Sequence, residues 1–584
     1  MSLSIKETRQ IPTSQIRAQV CKARPSVNVE IKEQAKHPNY PENPNYLTFF
    51  ELLKKNCSNL KIFVKSAWEN RQDLFTLLFK LPGSGRNYVQ WIGDVTPTDH
   101  IRHIFMPFGT HYIAPYNSYK ELFCLSKGDS TGLKLGEYKD NGKEYDVCLF
   151  TPKTGPFYDQ FSNIVGRKGL LGSPDSECWQ HVNSLIDRKD FLTPGAVQGY
   201  ESKITEILKR KTLEFEKELS NSQSNQKFDL KEKSKEAIVE VLSECILGKI
   251  SKKHWDHIVD DFAQSTKHLF WEKLFLPIQL PPAFSSSTRT GLNALNDLDH
   301  ISLVILEDRL KELEHKKPEN LLDILALESG RIINNPDGEA KHKEGILRMA
   351  KVFLELVSAA HASNINSKGF FDYEALINKD FRAELVHAID NLGTNNLEEM
   401  VQKVLKNPEL LKPFEAAAYA SFAHNTAIPA FTRQADFYLV SKDSKGKEEE
   451  KKLMTETERK DFALSSNNPL AQIPQHGQIV FPLLGYASIE LKNNGFLDKN
   501  NELNSKMIFQ NDSAETLKNI ANSISFGQGQ RKCVGSVPSL SLIKWGAFFT
   551  SYLLWKFPNL VLAKESKTKL SNLYGKEKVI AKLV

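Results

Sequence analysis

Apolar positions recur at helical spacing over most of this chain, and only short stretches alternate as strands do. From Tyr46 to Arg71 the residues Phe49, Leu52, Leu53, Leu60, Phe63 and Val64 predict one or two amphipathic helices. LFTLLFKLPG and RNYVQWIG then alternate around a Gly-Ser-Gly turn, which predicts a strand pair. TPTDHIRHIF follows with Thr-Pro at a helix start, and residues 110–170, rich in Gly, Tyr and Asp, predict irregular chain. From Asp175 onward helices are expected to dominate. SPDSECWQHVNSLI opens one with an Asp-Ser cap, and charged amphipathic segments run from Val197 to Leu219 and from Lys231 to Leu247. Three prolines in LPIQLPPAF (Leu276 to Phe284) must break the run, which resumes from Asn293 to Leu313 and over PENLLDILALES.

The segment from Lys343 to Asn364 is apolar almost all round, the pattern of a helix buried through the middle of a large domain. VGSVPSLSLIKWGAFFTSYLLW reads as a second apolar helix. Residues 1–44 are polar and proline-dotted and read as an arm. The lysine-glutamate run at 441–460 reads as a solvated insertion. No repeat or linker divides the rest. The expected fold is mainly α with a minor β-sheet, as one large domain over residues 45–584.

Composition narrows the class without naming it. The apolar and charged fractions are those of a soluble globular protein. A net charge of +6 on scattered basic residues gives nucleic-acid binding little support. The seven cysteines are odd in number and lack CxxC or CxxH spacing, which argues against a disulfide framework or a zinc site and fits a reducing compartment. MSLSIKETRQIPTSQ has no apolar core, and the stretch from Trp545 to Trp555 is too short to span a bilayer. The expectation is a soluble, cytoplasmic protein without a membrane anchor.

The most specific chemistry lies in FGQGQRKCVG, Phe526 to Gly535, directly before the second apolar helix. A thiolate at Cys533 can be an axial ligand to heme iron, where it favours O–O cleavage. Gly527, Gly529 and Gly535 let backbone approach a flat macrocycle without a Cβ in the way. Amide groups and a helix N-terminus favour the anionic sulfur, and the planar fork of Arg531 suits a propionate carboxylate.

The run fits Phe-Gly-x-Gly-x-Arg-x-Cys-x-Gly, the heme-thiolate loop of the cytochrome P450 family, and the chain resembles that family from about residue 46 to its end. The resemblance implies heme b held by Cys533, with Phe526 packing near the sulfur and Arg531, Arg433 and Trp179 on the propionates. It also implies a lipophilic substrate and oxidation by dioxygen, with electrons from a separate reductase or ferredoxin, since no flavin or iron–sulfur segment is visible.

Other family motifs are altered. Asn183 stands where the tryptophan helix has arginine. In the central helix the oxygen-activation motif falls on Ala359, Ala360, His361, Ala362 and Ser363, so the hydroxyl survives and the acid does not. His361 could carry protons in its place, or could point elsewhere on the helix; the sequence leaves both open. PFEAAAYASFAHNTAIPAFTRQADFYL resembles the family's Glu-x-x-Arg helix and the strand after it, with Ala420 and Ala423 in place of the Glu and Arg, and the third member, an arginine in the loop before the heme segment, has no counterpart. Literal Glu-x-x-Arg sequences occur at Glu456–Arg459, in the charged run, and at Glu328–Arg331, before the central helix. These losses open two other expectations. One is an enzyme that uses peroxide or rearranges a hydroperoxide. The other is a heme-binding protein without catalysis.

Overall fold

The structure is a computed structural model. It describes residues 49–75, 91–106, 109–124, 132–140, 142–151, 164, 177–186, 192–271, 285–313, 316–333, 339–426, 428, 430–442, 448–510, 512–527, 532–564 and 578–584. The expected arm at 1–44 and the proline-rich LPIQLPPAF lie outside these residues.

Helices dominate, with three small sheets set among them. Helix α1 (Phe49–Glu69) leads to strands β1 (Arg102–Met106) and β2 (Gly109–Ile113), then to the hairpin of β3 (Leu133–Asp140) and β4 (Lys143–Phe150). Next comes α2 (Glu177–Ile186). Helix α3 (Pro194–Ser220) follows, opened by Thr193 accepting from the Ala196 amide with proline in its first turn. Strand β5 (Lys227–Asp229) ends on the Asp229 cap of α4 (Leu230–Val241). Serine caps open α5 (Lys252–Thr266) and α6 (Ser286–Glu312), and α7 (Leu321–Ile333) precedes the central helix α8 (Glu339–Ile377). Asparagine caps open α9 (Lys379–Asp390) and α10 (Leu397–Lys406), and α11 (Lys412–His424) follows.

The chain then returns to the sheets with β6 (Phe431–Gln434), β7 (Asp436–Lys442) and β8 (Glu448–Leu453). It continues through α12 (Glu456–Ser465), β9 (Gln478–Phe481), α13 (Leu483–Asn493), α14 (Ser513–Ile520) and α15 (Ser536–Lys556) to β10 (Leu560–Leu562) and β11 (Ile580–Leu583). The sheets run β1-β2-β9-β6, β3-β4-β7-β8 and β10-β11-β5, and only β2 with β9 is parallel. Buried apolar side chains from Ala114 to Leu583 form one contiguous cluster. Within it α8 is buried on every side from Met349 to Ser358, as its all-round apolar pattern predicts.

Four expectations are corrected. Where the strand pair of LFTLLFKLPG and RNYVQWIG is described it is helical, at Arg71–Phe75 and at 91–94; the rest of it lies outside the described residues. TPTDHIRHIF does not open a helix. It contains β1, which pairs with β2 from Arg102↔Ile113 to Met106↔Gly109. The supposedly irregular region holds the β3–β4 hairpin, turned at Gly142 with φ +80°. The charged run is mostly exposed, but where it is described it is regular structure rather than a loop: β8 pairs with β7 as a sheet edge and α12 follows with a Thr455–Glu458 capping box. Its charges are paired across the sheet, Lys452 with Asp140 and Glu458, and Glu450 with Lys143.

Both literal Glu-x-x-Arg sequences are structural clamps. Arg459 is buried, bonds Glu456, and donates to the carbonyls of Ala471 and Ile473 at 3.1 and 3.0 Å. Glu328 is buried on α7 and accepts from Arg331 and, at 3.0 Å, from His181 on α2. Burial pushes the Glu328 carboxyl up, but the bonds from His181 and Arg331 outweigh it and bring it down to about 2. Its folded value lies below the ordinary 4.5, so this stabilisation is complete above that pH and is lost as pH falls toward 2. Glu328→Gln should therefore lower stability at neutral pH by about 2 kcal/mol, because half-exposed Arg331 is partly screened. Urea melts should show the gap from wild type closing between about pH 5 and pH 2. A gap constant across that range would contradict the assignment.

Candidate functional site

The cysteine loop is closed at its base by one backbone bond. The Cys533 amide donates to the Phe526 carbonyl at 2.8 Å, so the two ends of FGQGQRKC meet. Gly527 sits at φ +71°, a conformation that a side chain disfavours, and an added Cβ there would meet nothing within 4 Å. The demand at Gly527 is conformational rather than steric. Gly535 precedes α15, and a Cβ built on it would lie 3.8 Å from the Cys533 sulfur. Gly529 and Arg531 lie outside the described residues.

Phe526 is buried and stacks on Phe422 of α11, with ring centroids 5.0 Å apart. That contact pins the loop to the helix carrying Ala420 and Ala423, both fully buried. Cys533 itself is exposed, three residues before the 21-residue helix α15, whose positive end favours a thiolate. The Ser536 amide donates to the Cys533 carbonyl at 3.2 Å, which holds the cysteine in the turn entering that helix. Burial lowers the neighbouring Lys532 ammonium, and the Cys533 sulfur opposes that shift.

Helix α8 packs on both α11 and α15. Along its middle, Ala359 is exposed and Ala362, Ser363 and Asn366 are half-buried, at spacings of three, one and three. These positions lie on one side of α8, which continues through half-buried Phe370, Tyr373 and Glu374 to exposed Ile377. Ser363 lies on it, with its hydroxyl donating to the Ala359 carbonyl at 2.6 Å. Asn366 also lies on it, and the motif register had not singled it out.

His361 is on the other side. It is 7% exposed, and its Nδ1 accepts a hydrogen bond from the Trp255 indole of α5 at 3.0 Å. Burial first, and then the charges of Lys235 and Lys231, bring its pKa down to about 3. Of the two directions the sequence leaves open for His361, the structure shows the one that points away from Ser363, toward Trp255. Trp255 lies 106 residues away, so the sequence carried no local sign of it.

Arg433 is buried on β6, with its guanidinium 5.3 Å from the Phe431 ring and its backbone opposite Ile479. Trp179 belongs to α2, but its side chain lies outside the described set; Asn183, on the same helix, is half-buried. The structure thus joins Phe526, Gly527, Cys533 and Gly535 in one loop, places Ser363 on the less buried side of α8, and removes His361 from it.

A flat prosthetic group with one axial sulfur ligand fits these residues. The sulfur is accessible beside a helix N-terminus. Among the described residues no group of three or more His, Cys, Asp or Glu side chains is placed to hold a bare metal ion, a requirement heme does not share. No helix among them is long and apolar enough to cross a membrane. Comparison of the chain with protein-family models and with curated proteins returns no match.

Proposed function

We propose that this chain is a heme-thiolate enzyme of the cytochrome P450 kind, with Cys533 as the proximal ligand, acting on a lipophilic peroxide or using peroxide as oxidant. One observation carries the choice of oxidant. Between Ala359 and Asn366 the positions of α8 that are not buried are Ala359, Ala360, Ala362, Ser363 and Asn366, none of them titratable, and His361 is bonded to Trp255. Activation of dioxygen needs protons delivered to the reacting oxygen, whereas a peroxide arrives with its O–O bond already formed and needs no electron supply.

Thiolate-ligated heme would supply the O–O cleavage. The chain's own part is positional. The Cys533–Phe526 bond and the Phe526–Phe422 stack fix the sulfur, and the start of α15 favours its anion. Arg433 is suited to a carboxylate of the bound group. The Ser363 oxygen, while donating to Ala359, keeps lone pairs that can accept a hydrogen bond from a substrate O–H.

Survival of the Ser363 hydroxyl favours a second reading, monooxygenation with dioxygen and a separate electron donor. Turnover of a lipid panel by the heme-loaded protein separates the two. The proposal expects consumption of a lipid hydroperoxide without reductant, and His361→Leu within about twofold of wild type. Turnover only with NADPH and a reductase would replace it with the second reading. No turnover under either condition would leave a heme-binding protein.

A further inference from the structure

Helices α3, α4, α8 and α15 close around a cavity of about 90 Å3. Most of its wall is apolar, with Leu208 of α3, Ile238 of α4 and Leu542 and Phe549 of α15 all buried. One row of α8 is the exception. Asn364, Lys368 and Asp372 stand four apart on the same face, and all three line the cavity. Asp372 is neutralised there by Lys368 and bonded by Thr550 and Ser234. Asn364 is not satisfied in the same way. It is 4% exposed, and its side-chain nitrogen donates to the Ala360 carbonyl at 2.8 Å. That bond assigns the two ends of the amide, because an oxygen could not donate there. The side-chain oxygen is buried and finds no donor among the described residues. A buried acceptor without a donor is costly, so its position on the wall of a cavity calls for a guest that supplies one.

We propose that this cavity is a binding site for a short-chain primary alcohol. The Lys368 ammonium has three donors and directs two of them at Asp372 and Thr550. One N–H therefore remains, one helical turn from the Asn364 oxygen. A hydroxyl accepts from the first and donates to the second through a single atom. A carboxylate brings no proton for the Asn364 oxygen, and an amine would set a second cation beside Lys368. The apolar wall takes the alkyl chain, whose length follows from the volume. An apolar cavity of about 150 Å3 admits benzene, so this one suits a chain of roughly three or four carbons. Water alone would meet the polar row but gain nothing from the apolar wall. The cavity shares no lining residue with the cysteine loop and rests on none of the heme chemistry.

Saturation-transfer NMR of the full chain with n-butanol tests this, with n-butyl chloride as a probe of the same length that lacks the hydroxyl. The alcohol should bind about tenfold more tightly than the chloride, the difference its hydrogen bonds make. Ala237→Met sends a flexible side chain into the cavity from α4 and should abolish binding of both probes. Asn364→Leu should weaken the alcohol about tenfold and leave the chloride unchanged. In the protein without alcohol, Asn364→Leu should not lower the thermal midpoint, since the oxygen it removes has no donor. That variant keeps the test decisive if Ala237→Met folds poorly. No alcohol binding to wild type would overturn the proposal, as would binding indifferent to both variants. A lowered midpoint for Asn364→Leu with no alcohol bound to wild type would assign the oxygen to an ordered water instead.

Discussion

Placing arginine at Ala423 should unfold the protein, at a cost of roughly 5 kcal/mol or more. Ala423 and its neighbour Ala420 are fully buried on α11, which packs against α14 and α15, and Phe422 between them stacks on Phe526. An arginine there has no space in the packed core, and burying its charge there is costly. That cost exhausts much of the 5–15 kcal/mol typical of a folded protein. Adding Ala420→Glu supplies a partner one helical turn away, so the double variant should recover part of the loss, read as the denaturant midpoint of single against double. Under the proposed kinship, the absence of every charged member of that family's cluster leaves no orphan, whereas the absence of one would. A single Ala423→Arg variant within about 1 kcal/mol of wild type would mean that α11 is not packed as described.

Asp372→Ala should cost about 3–5 kcal/mol. Asp372 is 2% exposed on α8, where it pairs with Lys368 and accepts from Thr550 at 2.8 Å and from Ser234 at 3.3 Å. It therefore ties α8 to α15 and α4. Close by, α3, α4, α8 and α15 leave a cavity of about 90 Å3, lined by Lys368 and Asp372. Removing the carboxylate strands the Lys368 ammonium, which Gly546 admits closely, since a Cβ there would sit 3.1 Å from the lysine stem. Asp372→Ala with Lys368→Met should regain most of the loss, because neutralising both partners removes the uncompensated charge. Equal thermal midpoints for the single and double variants would show that the pair is not the source of the cost.

Local patterns were legible where packing depends on one helix face. The all-round apolar run of α8 and the apolar helix after the cysteine loop followed from spacing alone. The sheets were harder because their partners are distant in sequence. Strand β2 pairs with β9, more than 360 residues on, and TPTDHIRHIF carries no sign of that partner. The Asp-Asn-Gly-Lys turn between β3 and β4 is a hairpin pattern that the Gly- and Tyr-rich surroundings obscured. Charge misled at β8, where an edge strand is charged for the same reason a solvated loop is, to stay in water.

At the candidate site, the loop residues could be named from the sequence because they are contiguous in it. The direction of His361 depended on Trp255, and the pinning of Phe526 depended on Phe422, so neither was readable from its own neighbours. The row from Ala359 to Asn366 has a helical period, but which side of α8 it marks is set by the helices packed around it.

The central claim is that Cys533 ligates heme as a thiolate. The carbon-monoxide complex of the reduced, heme-loaded protein tests it most directly. Wild type should show the red-shifted Soret band of thiolate ligation, and Cys533→Ala should lose it while circular dichroism stays unchanged. A wild-type complex without that band, or a Cys533→Ala complex that keeps it, would contradict the account.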